Sequence, residues 1–511
     1  MNKKIFIGVI ALIALVAGIV WFAGSSSPKS IQAVKQTEVV DLKDGDTYTL
    51  TASYVTKEIG GKEQKMLAYN GMIPGPTIRV QQGANVTINF KNDTDLPALL
   101  HSHGVRMDNA FDGSQSVQKE ISPGGSFSYK LKFPDAGVFW YHPHTNEVYE
   151  QPLGLYGAFV VEPSDKSYYP PVNSEHVIFL SDLPTQNGMI TLTPQGKDQV
   201  LMGHYGNVLL VNGQENYSIA AKTGEVMQLD VINAANARPF NFAIAGAKLK
   251  LVGGDNGAYE KASWQDSVVL APSERAIVDV MFTKAGTYAL QNKIPSGIAT
   301  IGQIQVIADT AQPSYATEFN LLQENKAVEA SIDSFRSYFD KAPDKKLVLS
   351  VDFSGMMAGH MQSMSGMNMG DDTNSGEGIE WDNSDSMMQM MNSMATVDET
   401  EWKITDAATG KSNMDIDWTL KQGQPVKIEI YNDPNTPHPM QHPIHFHGQR
   451  FLVLSINGVK QTNLVWKDTV LIPAGATAEI LLDPSNPGTW MAHCHVSEHL
   501  QAGMMFQFKV Q

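Results

Sequence analysis

Ten of the 14 histidines lie in four short clusters, and these clusters constrain the fold more than any other feature of the sequence. Each cluster contains a His-x-His pair, and side chains at i and i+2 of an extended strand point to the same face. Each pair therefore presents two imidazoles in one direction, and neutral imidazole binds copper, iron and zinc. A single His-x-His pair usually lies on the protein surface or is hydrogen-bonded within the core. Four such pairs instead predict strands that converge on bound metal. The clusters are His101-Ser102-His103-Gly104, His142-Pro143-His144, His442 to Gly448, and His493-Cys494-His495 with His499.

Cys494 is the only cysteine, which excludes a disulfide within the chain. If its strand is extended, its side chain faces away from the two histidines that flank it, so one short segment can serve two metal centres. His442 and His499 are available on the thiolate side, with Met504 ten residues after the cysteine. One Cys, two His and a weak axial Met are typical of a blue-copper site. A structural zinc site needs only four ligands, far fewer than these clusters offer.

A turn, an alternating strand, a glycine turn and a second strand occur three times along the chain, at 123–142, 272–291 and 473–493. This pattern predicts antiparallel sheets, and 511 residues are enough for about three domains. Five residues after the turn glycine, the outer copies carry His142 and His493, whereas the middle copy carries Gln291. The outer domains are thus predicted to hold the chemistry and the middle domain to act as a spacer.

We expect an N-terminal segment over residues 1–30, a first domain over 31–165, a second over 166–310 and a third over 311–511. Lys3 and Lys4 precede an apolar run from Ile5 to Ala23, which predicts a signal peptide or a retained membrane anchor and an extracytoplasmic, periplasmic location. The net charge of −16 argues against nucleic acid as a partner. We expect a monomer.

The order and spacing of these motifs resemble the three-domain multicopper oxidases, whose signature is H-x-H-G, H-x-H, H-P-x-H-x-H-G and H-C-H-x-x-x-H. Asn70-Gly71 followed by Pro74-Gly75-Pro76-Thr77-Ile78 also resembles the start of that family's first domain. The resemblance implies an all-β fold of three cupredoxin-like Greek-key β-sandwich domains. It also implies four copper ions, with electrons taken singly from the substrate and O2 reduced to water.

The resemblance further implies a role for each ligand. The type 1 copper takes His442, Cys494, His499 and Met504; the type 2 copper takes His101 and His445; and the type 3 pair takes His103, His142, His144, His447, His493 and His495. Asp112 matches an acidic residue that the family has beside its copper cluster. The family's glutamate after the last type 1 histidine is Leu500 here, which leaves Glu498, on the other side of His499, as a second candidate for proton transfer.

Residues 355–394 contain eleven of the 24 methionines together with Gly, Ser, Asn and scattered acids, and we expect a long inserted loop in the third domain. Thioether sulfur selects Cu(I), and such an insert resembles that of bacterial cuprous oxidases of copper tolerance. The candidates for a substrate-copper site are Met356, Met357, Met361 and Met440, although His438 stands where those enzymes have an acid. The leading hypothesis is Cu(I) oxidation. The alternatives are a laccase-type oxidase of phenols and aromatic amines, and a copper-sequestering protein.

Overall fold

The computed structural model describes residues 31–194, 196–364, 377–382 and 386–511, without the side chains of 361–364. The predicted N-terminal segment, residues 1–30, lies outside these ranges. The predicted all-β class is confirmed, since strands dominate the described chain and form three successive pairs of sheets. Within those ranges, no helix has the length and apolar character needed to cross a membrane.

The first pair of sheets is built from residues 32–162. One sheet has the order β1-β3-β6-β8, with β4 paired to β3, and the other has the order β2-β5-β10-β9-β7. Their strands are β1 Gln32–Ala33, β2 Val39–Leu42, β3 Thr47–Ile59, β4 Lys62–Tyr69, β5 Thr77–Gln81, β6 Asn85–Asp93, β7 Leu100–His103, β8 Ser126–Lys132, β9 Gly137–Pro143 and β10 Gly157–Glu162. In β6, Val86, Ile88 and Phe90 are buried while polar residues alternate with them, as expected of a strand with one face toward the core.

The second pair of sheets is built from residues 174–310. One sheet has the order β14-β11-β16-β21-β18-β19 and the other β15-β23-β22-β17-β20, and β12 and β13 form a separate small hairpin. Their strands are β11 Ser174–Leu183, β12 Thr185–Gln186, β13 Met189–Ile190, β14 Val208–Val211, β15 Tyr217–Thr223, β16 Val226–Asn233, β17 Phe240–Ile244, β18 Leu249–Gly254, β19 Gly257–Gln265, β20 Val268–Leu270, β21 Arg275–Met281, β22 Gly286–Ile294 and β23 Gly297–Thr310.

The third pair is built from residues 345–510. Its sheets have the orders β25-β24-β27-β32-β29-β30 and β26-β34-β33-β28-β31. Their strands are β24 Lys345–Phe353, β25 Thr400–Asp406, β26 Trp418–Leu420, β27 Val426–Asn432, β28 His442–Phe446, β29 Arg450–Ile456, β30 Val459–Lys460, β31 Thr469–Ile472, β32 Thr477–Asp483, β33 Gly488–Cys494 and β34 Met505–Val510. Each pair of sheets encloses its own hydrophobic core.

Short helices connect the sheets. They are α1 Glu147–Glu150, α2 Ala316–Asn320, α3 Lys326–Asp333, α4 Gly355–Met364, α5 Ser386–Met394 and α6 Ser497–Gln501, with 3-10 turns at Asn109–Phe111, Arg336–Tyr338 and Asn413–Asp415. Helix α3 begins after Asn325, whose side chain accepts a hydrogen bond from the Val328 amide at 3.1 Å, as an N-cap residue does.

The described parts of the methionine-rich segment contain two helices, α4 and α5, where a loop was predicted. Methionine favours helices, and two of the methionines find apolar partners in the third core. Met357 and Met391 are buried there, each 1 % exposed, beside Trp402 and the strands around Cys494. The helices are thus docked on the third domain through one buried face.

Candidate metal centres

Two pairs of neighbouring strands present the histidines. In the first domain, β7 and β9 run antiparallel with His101 opposite His142. In the third domain, β28 and β33 run antiparallel with His445 opposite His493. Both β9 and the last five residues of β33 are buried throughout, because these strands lie where the domains meet. The period of two in each strand then turns each His-x-His pair toward this interface.

The eight imidazoles of the four His-x-His pairs converge between the first and third domains. His447 Nε2 lies 3.2 Å from His144 Nε2 and 3.0 Å from His493 Nε2. The His103 and His445 rings stack with centroids 3.8 Å apart. The structure therefore brings together the residues predicted for type 2 and type 3 copper, and their ring nitrogens form several groups of three within 4.8 Å of one another.

Hydrogen bonds to carbonyl oxygens determine which ring nitrogen faces the cluster. A carbonyl only accepts, so each of four histidines carries its proton on Nδ1 and leaves the Nε2 lone pair free. These bonds, of 2.7 or 2.8 Å, run from His101 to Asp112, from His142 to Pro143, from His445 to Asp468 and from His493 to Cys494.

His103 has the opposite orientation. Its Nε2 lies 3.0 Å from Asp468 Oδ1, 3.0 Å from Ser273 Oγ and 3.2 Å from Thr469 Oγ1. Its Nδ1 is buried and has no hydrogen-bond partner among the described residues. His103 would therefore bind a metal through Nδ1.

Unpartnered nitrogens show that this cluster fits copper. In the described part of the chain, the Nε2 atoms of His101, His142 and His445 and both ring nitrogens of His495 are buried without a partner, which is costly unless a ligand fills the space. Burial lowers the pKa of His101 to about 3. It also lowers the pKa of His103, His142, His144, His447, His493 and His495 well below the usual value. Uncharged, converging imidazoles are a set of metal ligands.

The second centre surrounds the thiol on the other face of β33. Cys494 Sγ lies 3.6 Å from Nδ1 of His442 and 3.6 Å from Nδ1 of His499, and these nitrogens are 3.2 Å apart. A metal about 2.0–2.3 Å from each atom produces separations of roughly 3.2–3.7 Å. The three ligand atoms therefore fit one copper ion.

The surroundings of this second centre are closed. Cys494 is fully buried, and burial raises the pKa of its thiol, so a metal must displace the proton in order to bind. The Trp402 ring stacks on His499 at 4.0 Å between centroids. Met504 is also fully buried; its amide donates to His499 O at 3.0 Å, and its carbonyl accepts from the Cys494 amide at 3.1 Å. This backbone connection holds Met504 next to the other predicted type 1 residues.

Asp112 lies against the histidine cluster. Its carboxylate oxygens are 3.0 and 3.2 Å from His447 Nδ1, and burial raises its pKa to about 7. Glu498 occupies a different place: its Oε1 accepts from the His204 ring Nδ1 at 2.6 Å and from the His204 amide at 3.0 Å. Its Oε2 is buried with no partner among the described residues. Of the two predicted acids, only Asp112 directly contacts a histidine of the cluster.

Sequence reasoning missed several functional residues. Glu147 Oε1 lies 3.2 Å from His144 Nδ1, and burial, with the charge of Glu498 as the second cause, raises the Glu147 pKa to about 8. Its position only three residues after His144, at the start of α1, is a signal that could have identified it. His204 and Asp468 have no such signal, because their partners lie hundreds of residues or a whole domain away.

The substrate-copper candidates are placed differently from one another. Met357 and Met440 are each 1 % exposed and share the buried cluster of Cys494, whereas Met356 is 75 % exposed. Met361 lies in α4, but its side chain is outside the described part. His438 is buried, with Nε2 unpartnered in the described chain, and burial lowers its pKa to about 4.

Comparisons with known proteins agree along most of the chain. Family models described as Multicopper oxidase match residues 51–166, 166–315 and 382–511. The multicopper oxidase mco of Staphylococcus epidermidis is 26 % identical over 486 residues, covering 92 % of this chain and 90 % of that protein. Laccase-12 of Arabidopsis thaliana is 24 % identical over 527 residues, covering 88 % and 89 %. The solved structure of a Campylobacter jejuni multicopper oxidase, a metallo-oxidase, matches with a TM-score of 0.68 at 24 % identity, covering 94 % of this chain and 98 % of that one. These likenesses confirm the predicted cupredoxin-like fold.

Proposed function

The chain belongs to the multicopper oxidase family, and on that premise we propose that its reducing substrate is Cu(I), which it oxidises outside the cytoplasm in copper tolerance. Bound copper would supply the redox chemistry, in which four Cu(I), one O2 and four protons give four Cu(II) and two water molecules. The extracytoplasmic location is supported by Lys3, Lys4 and the apolar run that follows them.

Four resident copper ions are part of the proposal. The residues that would hold them are His442, Cys494, His499 and Met504 for type 1, His101 and His445 for type 2, and His103, His142, His144, His447, His493 and His495 for the type 3 pair. These ligands are buried, which shields both centres from bulk solvent. The His493-Cys494-His495 segment joins the two ligand sets through one stretch of backbone, with its side chains on opposite faces.

The observation that carries the choice of substrate is a link, through one short backbone segment, between the methionine-rich segment and a type 1 residue. Asn392 of α5 accepts from the Met202 amide at 2.8 Å and donates to Gly203 O at 2.9 Å. In the same short segment, Leu201 O accepts from His499 Nε2 at 3.3 Å. The backbone of residues 201–203 thus forms hydrogen bonds with both the insert and a type 1 histidine.

Exposed methionines extend from this link toward solvent. Met356, Met387, Met390 and Met394 are between 38 % and 75 % exposed. Large apolar side chains at such exposure gain little from burial, whereas their thioether sulfurs are suited to soft Cu(I). These exposed thioethers, on helices of the methionine-rich segment, support Cu(I) as the substrate.

Buried acids hold protons near the cluster. Burial raises the pKa of Asp112 to about 7 and of Glu147 to about 8, so both carboxyls exchange protons near neutral pH. Asp112 contacts His447 and Glu147 contacts His144, which places each acid directly behind a histidine of the trinuclear cluster. General acids of this strength suit a reaction that consumes four protons.

Sulfur-removing substitutions test the choice of substrate. Deleting residues 355–394 would also remove the buried Met357, Trp381 and Met391, so we would instead replace the four exposed methionines, Met356, Met387, Met390 and Met394, with leucine. Oxygen consumption by the copper-loaded protein would be measured with Cu(I) and, separately, with a phenol. We expect the rate at low Cu(I) to fall about tenfold, equivalent to about 1.4 kcal/mol, while phenol oxidation is unchanged or faster.

The matched control is a chain with Met189 and Met414 replaced by leucine, since these methionines are similarly exposed, at 49 % and 50 %, and lie outside the insert. It should oxidise Cu(I) at the native rate. If phenol is the better donor for the native chain, and the fourfold variant still oxidises Cu(I) as the control does, the laccase-type alternative is correct. The likeness to plant laccases makes that the second candidate.

A further inference from the structure

The middle domain approaches the trinuclear histidines with two polar side chains, although every candidate metal-binding group among the described residues takes its ligands from outside 166–310. Ser273 and Arg275 lie at the turn that enters β21. Ser273 Oγ is 3.0 Å from His103 Nε2, and Arg275 forms an ion pair with Asp468, which itself contacts His103. The middle domain thus contacts His103 directly through Ser273 and indirectly through the Arg275–Asp468 ion pair.

Arg275 connects all three domains and is 1 % exposed. Its guanidinium donates to Asp468 Oδ1 at 2.7 Å and to Oδ2 at 2.6 Å, a bidentate pair with little freedom of orientation. The remaining donors reach Val138 O in the first domain at 3.1 Å and Asp255 O in the second at 3.0 Å. The position of the Asp468 carboxylate is therefore set by the middle domain.

The polar groups around His103 Nε2 determine where its ring proton lies. The carboxylate of Asp468, held by Arg275, accepts hydrogen bonds and cannot donate one. Nε2 must therefore carry the hydrogen, and the lone pair is left on the buried, unpartnered Nδ1. Ser273 Oγ also lies 3.1 Å from Thr469 Oγ1, which in turn donates to Asp468 Oδ1 at 2.9 Å. These hydroxyls join the carboxylate and the imidazole in one hydrogen-bond network.

The backbone at Ser273 points to a use for its side chain. Its φ is +75°, in the left-handed region that favours glycine. Glycine would adopt this turn with less strain but would have no hydroxyl to offer His103. Strained residues held in place by their surroundings are concentrated at functional sites.

We propose that Ser273 and Arg275 of the middle domain are positioning residues for the trinuclear site, which fix the tautomer and orientation of His103 so that it binds copper through Nδ1. This inference rests on the copper assignment proposed above. The middle domain then does more than separate the outer domains, because it supplies the contacts behind a ligand that the first domain contributes.

The test uses Ser273→Gly, which removes the hydroxyl and relaxes the backbone, and Arg275→Lys, which keeps the charge and loses the bidentate fork. The control is Asn187→Gly, another residue with positive φ, 52°, on the exposed small hairpin. Each copper-loaded chain would be dialysed against increasing concentrations of a chelator. The copper content and the electron paramagnetic resonance spectrum would then be recorded. The type 1 signal serves as the internal standard for a folded third domain.

For Ser273→Gly we expect roughly tenfold weaker retention of the trinuclear copper, with the type 1 signal unchanged. The type 2 signal should also be altered, because Asp468 and Thr469 contact the type 2 histidine His445 as well as His103. Arg275→Lys should show the same pattern, and Asn187→Gly neither change. If Ser273→Gly keeps the native type 2 signal and the native copper retention, the proposal is wrong, whether or not Arg275→Lys folds. A native chain that never binds the trinuclear copper would instead contradict the copper assignment itself.

Discussion

At the scale of single residues, Cys494 does two things because of its place in a strand. Its sulfur faces His442 and His499, while its carbonyl oxygen accepts from His493 Nδ1 at 2.8 Å. The same residue thus offers its sulfur to the proposed type 1 site, and its carbonyl oxygen orients a histidine of the other proposed site. Its side chain and its backbone can be separated experimentally, because a substitution changes only the former.

We expect Cys494→Ser to lose the type 1 copper and its blue colour, and oxygen consumption to fall to background. The trinuclear copper should remain, since the carbonyl that orients His493 is unchanged and the eight imidazoles are intact. Copper analysis should therefore find about three ions per chain instead of about four. The measurement is metal content together with the visible spectrum.

Met504→Leu is the matched comparison at this centre. A thioether in the axial position binds weakly and tunes the potential, so this variant should keep four coppers and its colour while its reduction potential shifts. Loss of all copper from Cys494→Ser would contradict the separation of the two centres.

At the scale of secondary-structure elements, two neighbouring strands of the middle domain carry buried acids. Asp230 on β16 is 1 % exposed, and its Oδ1 accepts from Gln228 at 3.3 Å. Asp279, on the neighbouring strand β21, is fully buried, and neither of its carboxylate oxygens has a hydrogen-bond partner in the described chain. Burial raises the pKa of each carboxyl to about 7.

This pair of strands therefore makes stability depend on pH. In the unfolded chain Asp230 releases its proton near pH 4, whereas in the folded chain it does so near pH 7. The folded state binds more protons between these values, so stability decreases as pH rises from about 4 to about 7 and stays lower above that. We expect Asp230→Asn to unfold less readily than the native chain at pH 8, by on the order of 1–4 kcal/mol, and to show no gain at pH 4.

Urea unfolding of both chains at the two pH values measures this difference. Asp266→Asn, at an exposed position, is the control and should differ from the native chain by less than about 0.5 kcal/mol at either pH. An equal gain from Asp230→Asn at pH 4 and pH 8 would show that its titration is not the cause.

At the scale of the whole molecule, the histidine cluster proposed to hold the trinuclear copper joins two domains that are far apart in sequence. Four of its imidazoles come from residues 101–144 and four from residues 445–495. Direct hydrogen bonds also cross this boundary, including Asn486 to Met107 O at 2.7 Å and Arg106 to Ser485 at 2.7 Å. Protein contacts as well as histidine ligands therefore cross this boundary, and bound copper would add a cross-link to it.

Removal of copper should therefore lower the melting temperature of the chain. A ligand that binds only the folded state stabilises it by about 2.7 kcal/mol when present at 100 times its Kd. Calorimetry of the copper-free and copper-loaded chains would measure the shift, and Cys494→Ser should retain most of it because the trinuclear copper joins the domains. Equal melting temperatures for the two native forms would contradict this account.

Several features of this protein could be predicted from its sequence because they depend on local geometry. The period of two in a strand predicted that His493 and His495 face away from Cys494, and in the structure the sulfur contacts the type 1 histidines while His493 lies 3.0 Å from His447. The repeated turns predicted sheets, and the spacing of the histidines indicated the family. Each of these signals lies within a few residues of chain.

Only the tertiary structure determined what surrounds these ligands. The sequence predicted a spacer between the outer domains, but Ser273 and Arg275 of the middle domain reach His103 and Asp468 across separations of 170 and 193 residues. Glu498 meets His204, 294 residues earlier in the chain. Such contacts arise when separate β-sandwich domains pack together. The local sequence pattern does not predict which faces of the domains will be in contact. The ligands follow from strand geometry, whereas their orientation and protonation follow from the packing of the domains.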